Sequence, residues 1–387
     1  VNTIKYPSFN RRIANSIATT NNDNDQIRSR IPARTRFGGF AVSAMLLLSG
    51  LVLATQINQP AWAGTFPGPN GQIAFDSDRD TPPDQEEDEN PNREIYVMNP
   101  DGTDQTRLTN NDEEDIQSSW SPDGEKIAFA SNRDGNLEIY VMNADGTDQT
   151  RLTNNDAIDI NPSWSPDGEK IAFSSDRDQE FGNDDIYVMN ADDGSDVTRL
   201  TDDEDDDIEP SWSPDGEKIA FSSDRDDDEG FYDIYVMDAT DGSDVTRLTD
   251  TGVDDHHPSW SPDGEKIAFS SDRDDDEGRN DIYVMNADDG SDVTRLTDTD
   301  ADDRQPSWSP DGEKIAFNRV FNPEDVDVDD GQIFVMNADD GSDVTRLTDN
   351  DHDDKEPDWG TNTSTPDGDG KKDDKKKNDH KDKKDDY

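Results

Sequence analysis

Six of the seven tryptophans recur at a nearly fixed interval, and that regularity limits the chain to repeat architectures. They fall at Trp120, Trp164, Trp212, Trp260, Trp308 and Trp359, spaced 44, 48, 48, 48 and 51 residues apart. Ile-Ala-Phe triplets begin at Ile73, Ile127, Ile171, Ile219, Ile267 and Ile315. A second apolar segment begins at Ile95, Ile139, Ile186, Ile234, Ile282 and Ile333, and Arg-Leu-Thr begins at Arg107, Arg151, Arg199, Arg247, Arg295 and Arg346. A period in the forties with four short strand signals per unit is the pattern of a propeller blade. The sequence therefore predicts an all-β fold, a six-bladed β-propeller of four-stranded blades.

Local chemistry supports the strands. In Lys218-Ile219-Ala220-Phe221 the bulky Ile219 and Phe221 share one face and small Ala220 takes the other. Ile234-Tyr235-Val236-Met237 is apolar on both faces, as suits a strand covered by a blade on each side. Ser213-Pro214-Asp215-Gly216 predicts a type I turn, and the run from Asn286 to Asp292 predicts a hairpin with Gly290 at positive φ. The chain enters the repeat without a tryptophan strand and leaves it on an orphan one, Pro357-Asp358-Trp359. Pairing these ends would complete one blade and remove two exposed sheet edges.

Composition alone would argue for disorder, with 28% hydrophobic residues, 34% charged and a net charge of −59. The repeat overrides it by returning the few apolar residues to the same places in every unit. Residues 1–63 are basic, with seven Arg and Lys against Asp23 and Asp25, and the last 17 hold eight Lys against six Asp. The body between them is a polyanion, which disfavours nucleic acid and anionic lipid and favours cations or a basic protein as partners. The absence of cysteine excludes disulfides, thiolate metal sites and cysteine nucleophiles.

Arg34 and Arg36 precede an apolar run from Phe37 to Ala54, and Ala61-Trp62-Ala63 comes after it. That order predicts a secretory signal over 37–63, cleaved after Ala63, behind a polar, basic extension at 1–36. An uncleaved anchor helix is the alternative. The propeller is expected over 64–359 and a disordered Lys/Asp-rich tail over 360–387, placing a monomeric protein in the periplasm or outside the cell.

The run Pro-Ser-Trp-Ser-Pro-Asp-Gly-Glu-Lys-Ile-Ala-Phe, continued by Asp-Ile-Tyr-Val-Met-Asn, resembles the repeat of TolB-like β-propellers. The resemblance implies a module that binds partner proteins in the cell envelope. The family's namesake carries an α/β domain before its propeller, whereas here a signal-like segment and polar residues are expected before the ring.

Two positions in each unit are candidate sites. Five residues before each tryptophan stands Asp115, Asp159, Asp207, Asp255, Asp303 or Asp354. With the tryptophan strand innermost, these six would ring one mouth of the channel as hard oxygen ligands for a cation such as calcium. Hydrogen bonding to loop amides is the other reading. Three residues before each tryptophan the residue varies: Gln117, Asn161, Glu209, His257, Gln305 and Glu356. Variation on a repeated scaffold is what a grafted partner-binding surface would show, and also what drift on a solvated loop would show. His256 and His257 have no second histidine cluster, and no base–nucleophile–orienter set is visible, so neither an enzyme nor a required cofactor is expected. The acidic excess in every blade reads as adaptation to high salt, or else as calcium binding in Asp-rich loops. An envelope-polymer enzyme or carbohydrate-binding protein is the alternative function.

Overall fold

The computed structural model describes residues 68–80, 92–178, 183–225, 230–274, 278–321 and 331–362. The basic extension, the export segment and residues 363–387 of the tail lie outside the described residues, whereas Gly360 and Thr361, expected in the disordered tail, continue the last strand. Among those described there are 24 strands in six four-stranded antiparallel sheets and no helix. Among the described residues, therefore, no helix is long and apolar enough to cross a membrane. Each sheet is one blade, with its tryptophan strand on one edge and a two-residue Thr-Arg strand on the other. The fourth blade is typical: Asp207–Trp212, Lys218–Ser223, Asp233–Asp238 and Thr246–Arg247, in that spatial order.

The apolar set is divided between neighbours as the strand pattern requires. Ala220, Ile234 and Val236 of the fourth blade pack with Trp260, Ile267, Phe269, Tyr283 and Met285 of the fifth. Six such clusters form six interfaces around the ring. Each strand thus buries one face toward each neighbouring blade, which is how so polar a chain assembles a continuous core.

The closing blade is made from both ends of the described chain. Asp354–Thr361 pairs antiparallel with Asn70–Ser77, with Trp359 opposite Ile73. Its flanks complete two interfaces: Ile73, Phe75 and Trp359 against Ile333 and Val335 of the sixth blade, and Ala74 and Ile95 against Trp120 and Ile127 of the second. Gly360 fits here because a Cβ would lie 2.7 Å from the Trp120 indole.

Both predicted turns form. The Gly216 N–H donates to the Ser213 carbonyl at 2.9 Å. Gly290 has φ +67, and a Cβ there would sit 2.1 Å from the Leu248 carbonyl oxygen of the preceding blade. One backbone feature goes beyond the predicted strands. In every tryptophan strand the pairing register shifts before the tryptophan, as between Ile208 and Ser211, and the residue three before it adopts positive φ, between 52° and 59°. This is a bulge repeated six times.

Candidate functional site

The bulge decides where the variable side chains go. It turns Gln117, Asn161, Glu209, His257, Gln305 and Glu356 together into the central channel, a cavity of about 180 Å³. The wall is completed by the serines, prolines and tryptophans of the same strands, and by Asp358; no Lys or Arg lines it. The structure thus brings together all six predicted partner-contacting residues. In ring order Glu356 of the closing blade stands opposite Glu209 of the fourth, and Gln117 opposite His257.

These residues are wired to one another. The Gln117 side-chain carbonyl accepts from the Asn161 N–H at 3.0 Å, Glu209 accepts from the His257 N–H at 2.7 Å, and Gln305 accepts from the Glu356 N–H at 3.1 Å. The bulge amides of Glu209 and Gln305 instead donate to Ser174 and Ser270. Glu209 also lies 3.1 Å from His257 Nε2 and 3.5 Å from His256 Nδ1. Burial works against the Glu209 charge, but the two imidazoles and their hydrogen bonds prevail and hold its carboxyl well below the usual range. Burial pushes His257 down to about 4. His256 is also pushed down by burial, yet Glu209 outweighs this and raises it.

Ser270 Oγ, 3.1 Å from His257 Nδ1, gives this cluster the outline of a Ser-His-Glu triad. The outline is not a nucleophile's. Ser270 is wholly buried and accepts from the Gln305 amide, and Ser174 does the same for Glu209 in a blade without histidine.

The six Asp residues five before each tryptophan have a different setting from that of a metal ring. All six are fully buried, and each accepts from an arginine of its own blade: Arg133, Arg177, Arg225, Arg273, Arg319 and Arg79 for Asp115, Asp159, Asp207, Asp255, Asp303 and Asp354. Each guanidinium lies over two aromatic rings of its blade, as Arg225 does over Phe221 and Tyr235 at 5.0 and 5.2 Å. Among the described residues no three His, Asp or Glu side chains are grouped to hold a metal ion. The carboxylates are engaged by arginine because Ser-Asp-Arg-Asp or Ser-Asn-Arg-Asp comes after five of the six Ile-Ala-Phe strands, while in the sixth Arg319 stands in the strand itself, directly opposite Asp303, a recurrence visible in the sequence but not connected there to the aspartates. Burial still raises Asp207 to about 6 against the pull of Arg225.

Comparison with known proteins fits this geometry. The TolB beta propeller domain family matches residues 118–180 and 226–328. The ring is a six-bladed β-propeller similar to that family over those residues. Crystalline TolB from Acinetobacter baumannii is similar at a TM-score of 0.62 and 27% identity, covering 76% of this chain and 67% of that one. A protein assigned as TolB from Agrobacterium tumefaciens gives 0.54 and 26%, covering 73% of this chain and 90% of that one. Hydrazine synthase of Kuenenia stuttgartiensis reaches 0.60 at 18% identity over 76% of this chain and 47% of that one, a likeness of fold alone. No curated protein matches the chain in sequence.

Proposed function

We propose that this TolB-like propeller is an exported, non-catalytic scaffold that holds a basic protein partner at its central channel, in the periplasm or outside the cell. The observation that carries the reading is the set of six channel residues. An identical backbone bulge presents Gln, Asn, Glu, His, Gln and Glu, so chemistry varies at a place where the fold exposes a shared surface. A wall with two glutamates and an aspartate but no Lys or Arg favours a basic or hydrogen-bonding segment over an anion. The surrounding acidic surface is suited to high salt, where screening weakens its self-repulsion.

The test compares capture from envelope extracts by the wild type and by a channel variant carrying Asn161→Gly and His257→Asn. Both replacements tolerate the left-handed backbone. With equal melting temperatures, a protein held by the wild type and lost by the variant is expected. Capture of the same proteins by both overturns the channel as the binding face.

A further inference from the structure

Resting on that reading, we infer that Asp76 and Glu356 form a carboxyl pair in the closing blade that holds one proton in the free protein and exchanges it for a cationic group of the partner.

The argument starts from what stands at position 76 in the repeat. Register places Asp76 opposite Lys355, where the other five blades have Ala130, Ser174, Ser222, Ser270 and Asn318. A carboxyl occupies this place in one blade only. It is fully buried, and neither oxygen has a hydrogen-bond donor. The Arg93 Nε stands 3.9 Å away, too far for a hydrogen bond, and that guanidinium is bonded to Asp353 at 2.6 Å. In the fourth and fifth blades the serines at this place, Ser222 and Ser270, lie 2.9 and 3.1 Å from the channel residues Glu209 and His257, and in the closing blade Glu356 holds that channel position before Asp76. One Glu356 oxygen accepts from Gln305 Nε2 at 3.2 Å, and the other is buried without a donor.

Two carboxylates meeting without a donor between them cannot both stay ionised at ordinary cost. The charged groups around the pair do not remove the conflict. From the tryptophan strand and the loop before it come Lys355, paired with Asp353 at 2.6 Å, and Asp354, paired with Arg79. From the loop before the next strand comes Arg93, and Asp78 also acts on that guanidinium. The sixth blade offers neutral Gln305 and Asn318, the second blade neutral Gln117 and Ala130, and Glu209 across the channel adds negative charge to Glu356. Burial first, and then the charge of Glu356, raises Asp76 well above the carboxylate range. Burial likewise raises Glu356. A single shared proton supplies the missing donor.

Glu356 lines the channel while Asp76 stands behind it, so a ligand meets the pair through Glu356. An ammonium or guanidinium group brings both charge and donors, which a hydroxyl or amide cannot. As it docks on Glu356 the proton leaves to solvent, and the pair, doubly ionised, faces the cation and Arg93.

The probe is Nα-acetyl-lysine amide, titrated calorimetrically into the full chain at pH 7 and fixed high salt in two buffers of different ionisation enthalpy. Release of about one proton per probe bound is expected, since a bound cation depresses the pair's shared proton affinity. Asp76→Ser, which restores the residue of three other blades, should abolish the release, and Glu356→Gln should weaken binding at least fivefold. The Nε-acetylated probe should not bind. Lysine binding without proton release, or unchanged by Asp76→Ser, overturns the inference, as does no binding by the lysine probe. In those cases the channel reading survives if the Asn161→Gly/His257→Asn variant still loses its partner. If that variant keeps its partner, the channel reading falls and takes this inference with it.

Discussion

Deleting the chain from Asp354 onward removes the tryptophan strand of the closing blade and, with it, several supports of the ring at once. Trp359 is 3% exposed, and truncating a buried aromatic in place costs about 3–5 kcal/mol. The deletion also strips the pairing from Asn70–Ser77, takes away the Asp358 carboxylate that accepts the Trp120 N–H at 2.7 Å, and uncovers Ile73 and Phe75. Together these losses reach the ~5–15 kcal/mol that a typical domain has in total. Trp359→Ala in the full chain should therefore cost about 3–5 kcal/mol, much like Trp212→Ala in an unbroken blade, whereas the truncated chain should lose cooperative unfolding. Urea melts monitored by near-ultraviolet circular dichroism, at constant high salt, give both values. A synthetic peptide spanning 353–362 should restore the transition in proportion to its concentration, because it binds only the folded ring. A truncated chain that melts like the full one would refute closure as the source of stability.

Other expectations rest on single contacts. Arg225→Met should cost about 3–5 kcal/mol by stranding buried Asp207, and adding Asp207→Asn should recover part of it, measured as a double-mutant cycle. Gly290→Ala should cost distinctly more than Gly252→Ala, although both have positive φ. A Cβ at Gly290 meets the Leu248 carbonyl and one at Gly252 meets nothing, so the second should lose only about 1 kcal/mol. Burial raises Asp358 to about 6, so its protonation favours the folded state and stability should fall as pH rises from about 4 through 6. Asp358→Ser should flatten that slope in melts across the window while keeping the acceptor, since Ser307 Oγ already serves the Trp359 N–H at 3.1 Å. Lowering monovalent salt from about 1 M to millimolar should unfold the protein as the Debye length grows from about 3 Å to beyond 30 Å. Equal stability at both salts would refute salt adaptation, and rescue by micromolar calcium alone would point to metal in the loops.

The fold was legible because each strand carries its own period and each unit repeats it. Ile219, Ala220 and Phe221 already distinguish two faces, and Trp359 without an Ile-Ala-Phe strand after it already requires Ile73 as its partner. The site was half legible. Variation at 117, 161, 209, 257, 305 and 356 located the channel wall, but nothing in Asp-Ile-Glu-Pro-Ser-Trp announces a left-handed Glu209. Gln and Glu are not residues that signal positive φ, and the bulge is imposed by pairing with the neighbouring strand. The aspartates at 115, 159, 207, 255, 303 and 354 were misplaced as cation ligands for a related reason. Their arginines lie 16 to 18 residues later in five blades, and for Asp354 at the other end of the repeat array, so only the folded blade brings them together.

The bulge also separates structural duty from binding duty within the channel. A left-handed backbone favours Gly and Asn, and other residues bear a cost of roughly 1 kcal/mol at each site. Only Asn161 meets that preference. Gln117, Glu209 and Gln305 have a structural reason to depart from it, because each accepts the bulge amide of the next blade. His257 and Glu356 serve no neighbouring blade in this way, since the amides of Gln305 and Gln117 are not held by them. Replacing Gln117 or Gln305 by Gly should therefore lower stability by about 1–2 kcal/mol through an unsatisfied amide, despite relieving the backbone. Replacing His257 by Asn relieves the backbone and leaves no amide unpaired but withdraws the imidazole from Glu209, so stability should fall less than in Gln305→Gly while partner binding falls. Thermal melts and partner affinity measured on the same variants decide the matter. If His257→Asn proves as destabilising as Gln305→Gly while binding is unchanged, the alternation is architectural throughout and the channel's variety has no ligand behind it.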